Sequence, residues 1–216
     1  MRGAAMGKYW RFRGHENLDK AMFPGSGPFE VPALGAVQVE CSMFVGFDQA
    51  YAWDKAPEET GLHFLMYDKQ FERIWTNPDD YLSMFRKFKC LCAPDFSLYT
   101  DYPRALQIWN HYRKHWLAAY WTSLGFTVLP TIAWSDETSF SWCFSGEPIG
   151  SDVVISSVGT QATDRAKYLF SLGYHEMLRR LRPRKIYFQG VVPKDCEGDI
   201  VEIPTNIAAV RKRVKT

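Results

Sequence analysis

Acidic side chains recur directly after short apolar runs in this sequence. Asp68 follows the run at 62–67, Asp95 follows Cys90-Leu-Cys-Ala-Pro94, and Asp136 and Glu137 follow Trp134-Ser135. Converging carboxylates open two chemistries. They can hold a hard cation such as Mg²⁺ or Mn²⁺ through oxygen ligands, with Asp68 and Asp95 as the pair. That cation would polarise a phosphoryl oxygen and activate water. Alternatively, like-charge repulsion raises one pKa and produces a general acid. The candidate catalytic groups are Asp95, Asp68, Glu137 and Asp136. Ser97, Tyr99, Trp134, Gly159 and Thr160 are the candidates to contact substrate. Trp134 would stack on a base or sugar, and Gly159 permits close backbone approach. Asp and Ser are also favoured after strands because they cap helices and make turns. Asp101 and Asp136 each precede a helix and suit that role.

Other constellations carry less. His111 and His115 stand four apart on one helix, the spacing of a zinc pair. No Glu stands beside the first His, and Arg113 and Lys114 oppose a cation, so the stretch reads as a solvated basic face. Arg104, Arg113 and Lys114 on such a face could contact phosphate. No GxGxxG follows a strand, and no GxxxxGK[ST] or GxSxG is present. The five cysteines (41, 90, 92, 143 and 196) include no CxxC pair. They read as reduced, mostly buried thiols.

The elements that must position these residues alternate between strand and helix. Strands are expected at 37–45, 62–67, 90–93, 126–132, 153–158 and 185–188, with an edge strand at 200–203. Helices are expected at 77–88, from 103 to about 124, and at 163–181, with a short one from 135 to 143. Asn77-Pro78 and Thr163-Asp164 are capping signals, and Gly125 is a stop signal. Apolar Leu106, Trp109, Tyr112, Trp116, Leu117, Tyr120 and Leu124 recur at helical spacing in the longest helix. Strands separated by helices pair in parallel. The expected fold is α/β, a mostly parallel sheet of about six strands with crossover helices, open or partial-barrel-like. In such folds the loops after the strands collect the site.

The chain has 216 residues, of which 46% are hydrophobic and 16% aromatic, enough for one sizeable core. The expected organisation is an irregular arm at 1–35, rich in Gly and Pro and packed through Tyr9, Trp10 and Phe12, then one domain at 36–205 and a basic tail at 206–216. Formal net charge is +2, so no whole-molecule field drives nucleic-acid binding. No run of eighteen apolar residues and no signal-peptide pattern occurs, and the expected location is the cytoplasm.

Several motifs together resemble a known family. They are Phe71-Glu-Arg-Ile-Trp75, Pro94-Asp-Phe-Ser-Leu-Tyr99, Asn110 with Tyr112-Arg113, and Leu129-Pro130-Thr131 with Trp134 and Asp136-Glu137. Cys143-Phe144, Gly146-x-Pro148, Ser157-Val-Gly159 and Gly173-Tyr174 complete the pattern. They resemble the family called domain of unknown function 4417, over roughly residues 60 to 190. The sequence departs from the pattern at Phe188-Gln189-Gly190, where a Tyr-Gly ending is expected. The resemblance implies a phage or mobile-element setting and no assigned activity. Three functions stay open. One is a carboxylate-site enzyme, Mg²⁺- or Mn²⁺-dependent in one version, acting on a nucleotide or nucleic acid. The second is a non-catalytic protein binding host machinery, as a replication accessory or an inhibitor of host defence. The third is a sequence-tolerant DNA binder using its basic tail, with no membrane partner in any of the three.

Overall fold

The computed structural model describes residues 14–203; Tyr9, Trp10, Phe12 and the basic tail lie outside them. A small antiparallel hairpin, β1 (Gly25–Ser26) and β2 (Val31–Pro32), precedes seven parallel strands. The first sheet takes β3 (Met43–Gly46), β4 (Thr60–His63), β5 (Cys90–Cys92) and β6 (Val128–Leu129) in sequence order. The second takes β7 (Val153–Ser156), β8 (Ile186–Gln189) and β9 (Ile200–Ile203). An isolated parallel bridge between Thr131 and Val154 joins them. Val154 N–H donates to Pro130 and Ile132 N–H to Val154, both at 2.8 Å. Four α-helices occur among the described residues: α1 (Arg73–Thr76), α2 (Leu82–Phe85), α3 (Arg104–Ser123) and α4 (Asp164–Leu181).

The strand side chains alternate between two environments, as the two-residue period requires. Leu62, Leu91 and Val128 face outward into a core with Trp116, Leu117 and Trp121 of α3. Val153, Ile155, Ile186 and Phe188 face outward into a core with Phe170, Tyr174 and Met177 of α4. The intervening residues Cys90, Cys92, Leu129, Val154, Tyr187 and Ile203 form a third, inner cluster. Phe44 of β3 meets Tyr187 of β8 there, with ring centroids 4.9 Å apart. Those strands are five positions apart, roughly 24 Å in a flat sheet at ~4.8 Å per strand. The sheet is therefore strongly curled without closing into a barrel.

The open side is crossed by residues 37–41. Val39 N–H donates to Asp152 Oδ2 (2.7 Å), Asp152 N–H to the Val37 carbonyl (2.9 Å) and Cys41 N–H to the Tyr187 hydroxyl (3.1 Å). Of the strand expected at 37–45, only Met43–Gly46 pairs in the sheet, because the preceding residues bond to β7 and β8 side chains and loops instead. Of the helix expected at 77–88 only the single turn α2 forms, and Asn77 closes the preceding α1 rather than capping α2. Thr163 caps α4 as expected, its hydroxyl accepting from Ala166 N–H at 3.1 Å.

The longest helix, α3, has the expected limits but not the expected exposure. Asn110, His111, Arg113, Lys114 and His115 are all buried, while Leu106 is 39% exposed. Residues 14–35 account for part of that burial. Asn17 donates to the Trp75 carbonyl (2.8 Å), the Trp116 indole to Ala21 (3.0 Å), and His115 meets the Pro32 carbonyl (2.8 Å). With strands on one side and this segment on the other, no residue of the middle of α3 is fully exposed, and the most open positions are the half-buried Ile108, Trp109, Tyr112 and Tyr120. The solvated basic face expected from sequence is thus corrected to a buried polar stripe.

Two glycines test this packing. A Cβ on Gly61 would lie 2.5 Å from the Phe44 ring and 3.2 Å from Cys90 Sγ, so Gly61→Ala should destabilise the chain by about 1–3 kcal/mol in urea unfolding. A Cβ on Gly173 of α4 would run into the Trp134 indole, whose Nε1–H donates to the Leu169 carbonyl at 3.1 Å. Helix propensity alone favours Gly173→Ala by about 1 kcal/mol; the expected result is a loss of about 1–3 kcal/mol. A gain would mean that Trp134 swings free of α4.

Candidate functional site

The loops after β4 and β5 meet at the carboxyl ends of the strands and enclose an open pocket of about 310 Å³ lined by Tyr67, Asp68, Lys69, Ser97, Tyr99 and Tyr102. Three of the nine sequence-derived candidates line it: Asp68, Ser97 and Tyr99. Asp68 Oδ1 accepts from the Ser97 hydroxyl (2.7 Å), and both its oxygens accept from Ser97 N–H (3.3 and 3.1 Å). The carboxylate thereby clamps one loop to the other. Tyr99 and Tyr102 pack edge to face with centroids 5.1 Å apart. Tyr67 and Tyr99 keep 74% and 50% of their surface exposed. The pocket therefore offers aromatic faces, one ammonium and a carboxylate.

Asp95 stands two residues before Ser97, partly covered. Burial pushes its carboxyl up to about 6; Lys114 opposes that rise, and the like charge of Asp68 adds to it. Such a group can both hold and release a proton near neutral pH. Its loop is fixed from below by α3. Asn110 Nδ2 donates to the Ser97 carbonyl at 2.8 Å, Arg113 donates to Asn110 Oδ1 at 2.7 Å, and Arg113 also pairs with Glu72. The Arg113 guanidinium lies 3.9 Å from the centre of the Phe96 ring. Arg113 is therefore an internal support of the loop, and Lys114 is buried against Thr131 and Glu147; neither forms a phosphate-binding surface.

The other candidates serve their own loops. Asp136 accepts from Thr138 N–H (3.0 Å) as the cap of the 3₁₀ turn Glu137–Ser141, and the Thr138 hydroxyl, with the Thr138 and Ser139 N–H groups and the nearby Arg104, lowers its pKa against the opposing effect of burial. Arg104 donates to the Thr138 carbonyl beside it (3.1 Å). Glu137 accepts from the Tyr168 hydroxyl at 3.3 Å. Trp134 packs on Phe170 with centroids 5.4 Å apart and on Gly173 of α4. Gly159, at φ +82°, and Thr160, whose N–H and hydroxyl both bond the Ser157 carbonyl (3.0 and 2.8 Å), close a turn after β7. The pocket lining includes none of these five residues.

A second cluster lies inside the molecule. His111, His115 and Glu147 place one ligand-capable atom each within 4.8 Å of one another. Lys114 Nζ donates to Glu147 Oε1 (2.5 Å) and to the Thr131 carbonyl (2.8 Å). Burial alone would raise the Glu147 carboxyl, but Lys114 and His115 together outweigh it and hold it below its ordinary value. Glu147 was missed as a partner for the two histidines because it is distant in sequence; its only sequence signal is its place as the middle residue of Gly146-Glu147-Pro148.

Comparison with known proteins agrees with the pattern of motifs. A family model described as Domain of unknown function (DUF4417) matches residues 23–206. The chain is 34% identical over 182 residues to "Gene 1 protein" of Mycobacterium phage L5, covering 84% of this chain and 80% of the relative. It is 34% identical over 197 residues to "Gene 1 protein" of Mycobacterium phage D29, covering 89% and 73%. No solved structure matches. Among the described residues, no helix is long and apolar enough to cross a membrane. With its motifs, its matched length and its phage relatives in agreement, the chain belongs to the phage family of unknown function designated DUF4417.

Proposed function

We propose that this protein is an acid/base enzyme in which Asp95 moves the proton and the pocket at Asp68, Ser97 and Tyr99 holds a nucleotide or nucleic-acid end. The observation that carries the reading is the Asp95 carboxyl, pushed up to about 6, two residues along the loop from Ser97 of an open pocket that Asp95 does not itself line. Perturbed carboxyls of this kind concentrate at functional sites. The lining suits a nucleotide. Exposed tyrosine rings stack on bases without regard to sequence, and Lys69 supplies a point charge for phosphate. Asp68 acts as a clamp and as a like charge that keeps Asp95 protonated longer. A Mg²⁺- or Mn²⁺-dependent version fits less well, because both Asp68 oxygens already accept from Ser97.

A host-binding reading has its own support. Tyr67, Tyr99, Val158 and Val191 are exposed on loops that follow β4, β5, β7 and β8. Apolar groups exposed on one end of a sheet suit a docking face. The two readings part at Asp95, which only the enzyme needs as an acid.

Asp95→Asn is therefore the test. The sign follows from linkage: the folded protein holds the Asp95 proton up to about pH 6, whereas the unfolded chain loses it near 3.8. Wild type thus loses stability as pH rises through this window and carries the full cost above it. A move of that size corresponds to about 3 kcal/mol, reduced by solvent at the open side. Asp95→Asn should be about 1–3 kcal/mol more stable than wild type in urea at pH 8, with the difference vanishing by pH 4. Across a panel of nucleoside phosphates and short oligonucleotides, wild type should turn over a member that the folded variant processes at least ~100-fold more slowly. A variant less stable at pH 8, or equally active, would remove Asp95 from the chemistry.

A further inference from the structure

The cluster between α3 and the loop at 145–148 supplies none of the residues lining the candidate pocket, and its polar groups are left incompletely satisfied. His111 Nε2 lies 3.0 Å from the Ser145 carbonyl and His115 Nδ1 lies 2.8 Å from the Pro32 carbonyl. A carbonyl only accepts, so these two nitrogens carry the hydrogens. The lone pair of the His111 ring then sits on Nδ1, whereas His115 Nε2 faces Glu147 Oε1 at 2.9 Å, a hydrogen bond that a cation seated between them would replace. This is how metal-ligating histidines are held, with one nitrogen anchored and the other presented. The ring centroids are 4.4 Å apart. His111 Nδ1 and Glu147 Oε2 are buried with no hydrogen-bond partner. Native interiors rarely leave such acceptors without a donor or a cation.

We propose that His111 Nδ1, His115 Nε2 and a Glu147 carboxylate oxygen form a binding site for a divalent cation of the zinc class. Two imidazoles and one carboxylate match zinc and its borderline neighbours better than Mg²⁺ or Ca²⁺, which prefer oxygen throughout. Lys114 is the obstacle, since its ammonium already sits 2.5 Å from Glu147 Oε1. It also points to how the site works. The free oxygen is Oε2, and Lys114 has a second acceptor in the Thr131 carbonyl. The ammonium weakens the site by repulsion without occupying the presented lone pairs, so removing it should strengthen metal binding. The alternative occupant is a water molecule that donates to both orphan acceptors, which would leave the cluster purely structural.

The experiment is a Co²⁺ titration of the chelator-treated full-length protein. Because the cluster is closed to solvent, the metal is supplied both to the folded protein and during refolding. One equivalent should bind with the visible absorption of tetrahedral Co²⁺ and be displaced by Zn²⁺. Lys114→Met should bind at least tenfold more tightly, while Glu147→Gln and His111→Ala should bind at least tenfold more weakly with native near-ultraviolet circular dichroism. Should those variants not fold, X-ray absorption of the zinc-loaded wild type decides instead. Two imidazoles and an oxygen ligand are expected. Sulfur ligands would place the ion at the inner thiols Cys41, Cys90 and Cys92 and overturn the assignment. So would a refolded wild type and Lys114→Met that both bind neither metal.

Discussion

A cation buried on a helix sets the terms on which this molecule assembles. The Lys114 side chain is 4% exposed, and burying an ammonium costs several kcal/mol unless it is paired and hydrogen-bonded. Its two acceptors belong to different parts of the chain. Glu147 lies in the loop before β7, and Thr131 is the residue whose bridge to Val154 joins the two sheets. The Thr131 hydroxyl in turn donates to Ala93 at the end of β5, at 2.6 Å. One ammonium thus links the longest helix, the seam between the sheets and the loop at 145–148. A buried ion pair is weak evidence of stability, because an apolar replacement can be equally stable. What it contributes here is position: only one register of α3 brings Lys114 beneath the seam.

Curling of the sheet follows from the same arrangement. The two sheets share a single bridge, so little backbone bonding resists bending where they meet, and inner side chains fill the space the bend creates. Residues 37–41 then cover the open side, using the Asp152 carboxylate and the Tyr187 hydroxyl as partners. Asp152 is itself fixed by Arg184, whose Nε and Nη2 lie 2.7 and 2.6 Å from its two oxygens. Direct parallel pairing of β4 with β5 sets the loops after them side by side, where Asp68 bonds Ser97.

Much of this was legible in the sequence where one residue's local chemistry decides the outcome. The central strands, the limits of α3 and α4, the Thr163 and Asp136 caps and the Gly125 stop all follow from propensity, capping and periodicity. The exposure of α3 did not. Helical periodicity assigns apolar positions inward and polar positions outward, which presumes one wet face. Here Asn110, Arg113, Lys114 and His115 find partners 13, 41, 17 and 83 residues away. No local pattern records those distances, and a buried polar stripe with distant partners looks the same in sequence as a solvated one. The candidate pocket was legible in half. Strand-end geometry selected Asp68, Ser97 and Tyr99, which line it, and the nearby Asp95, but it could not separate them from Asp136, whose carboxylate its own loop bonds, or from Glu137, whose carboxylate meets Tyr168 of α4.

The open pocket and the closed cluster are electrically connected through α3. Lys114 is the positive group that opposes the rise of the Asp95 pKa, yet Glu147 already holds its ammonium at 2.5 Å. Against Asp95, the neighbouring pair therefore acts more as a dipole than as a free charge. Opposite charges held this close largely cancel beyond a few ångströms, so Lys114 offsets only part of the burial penalty at Asp95. Glu147 does not line the pocket, but by pairing with Lys114 it limits how far that ammonium can offset the burial that raises the Asp95 carboxyl to about 6. The proton-holding carboxyl and the buried ion pair are two consequences of one charge placed inside the molecule.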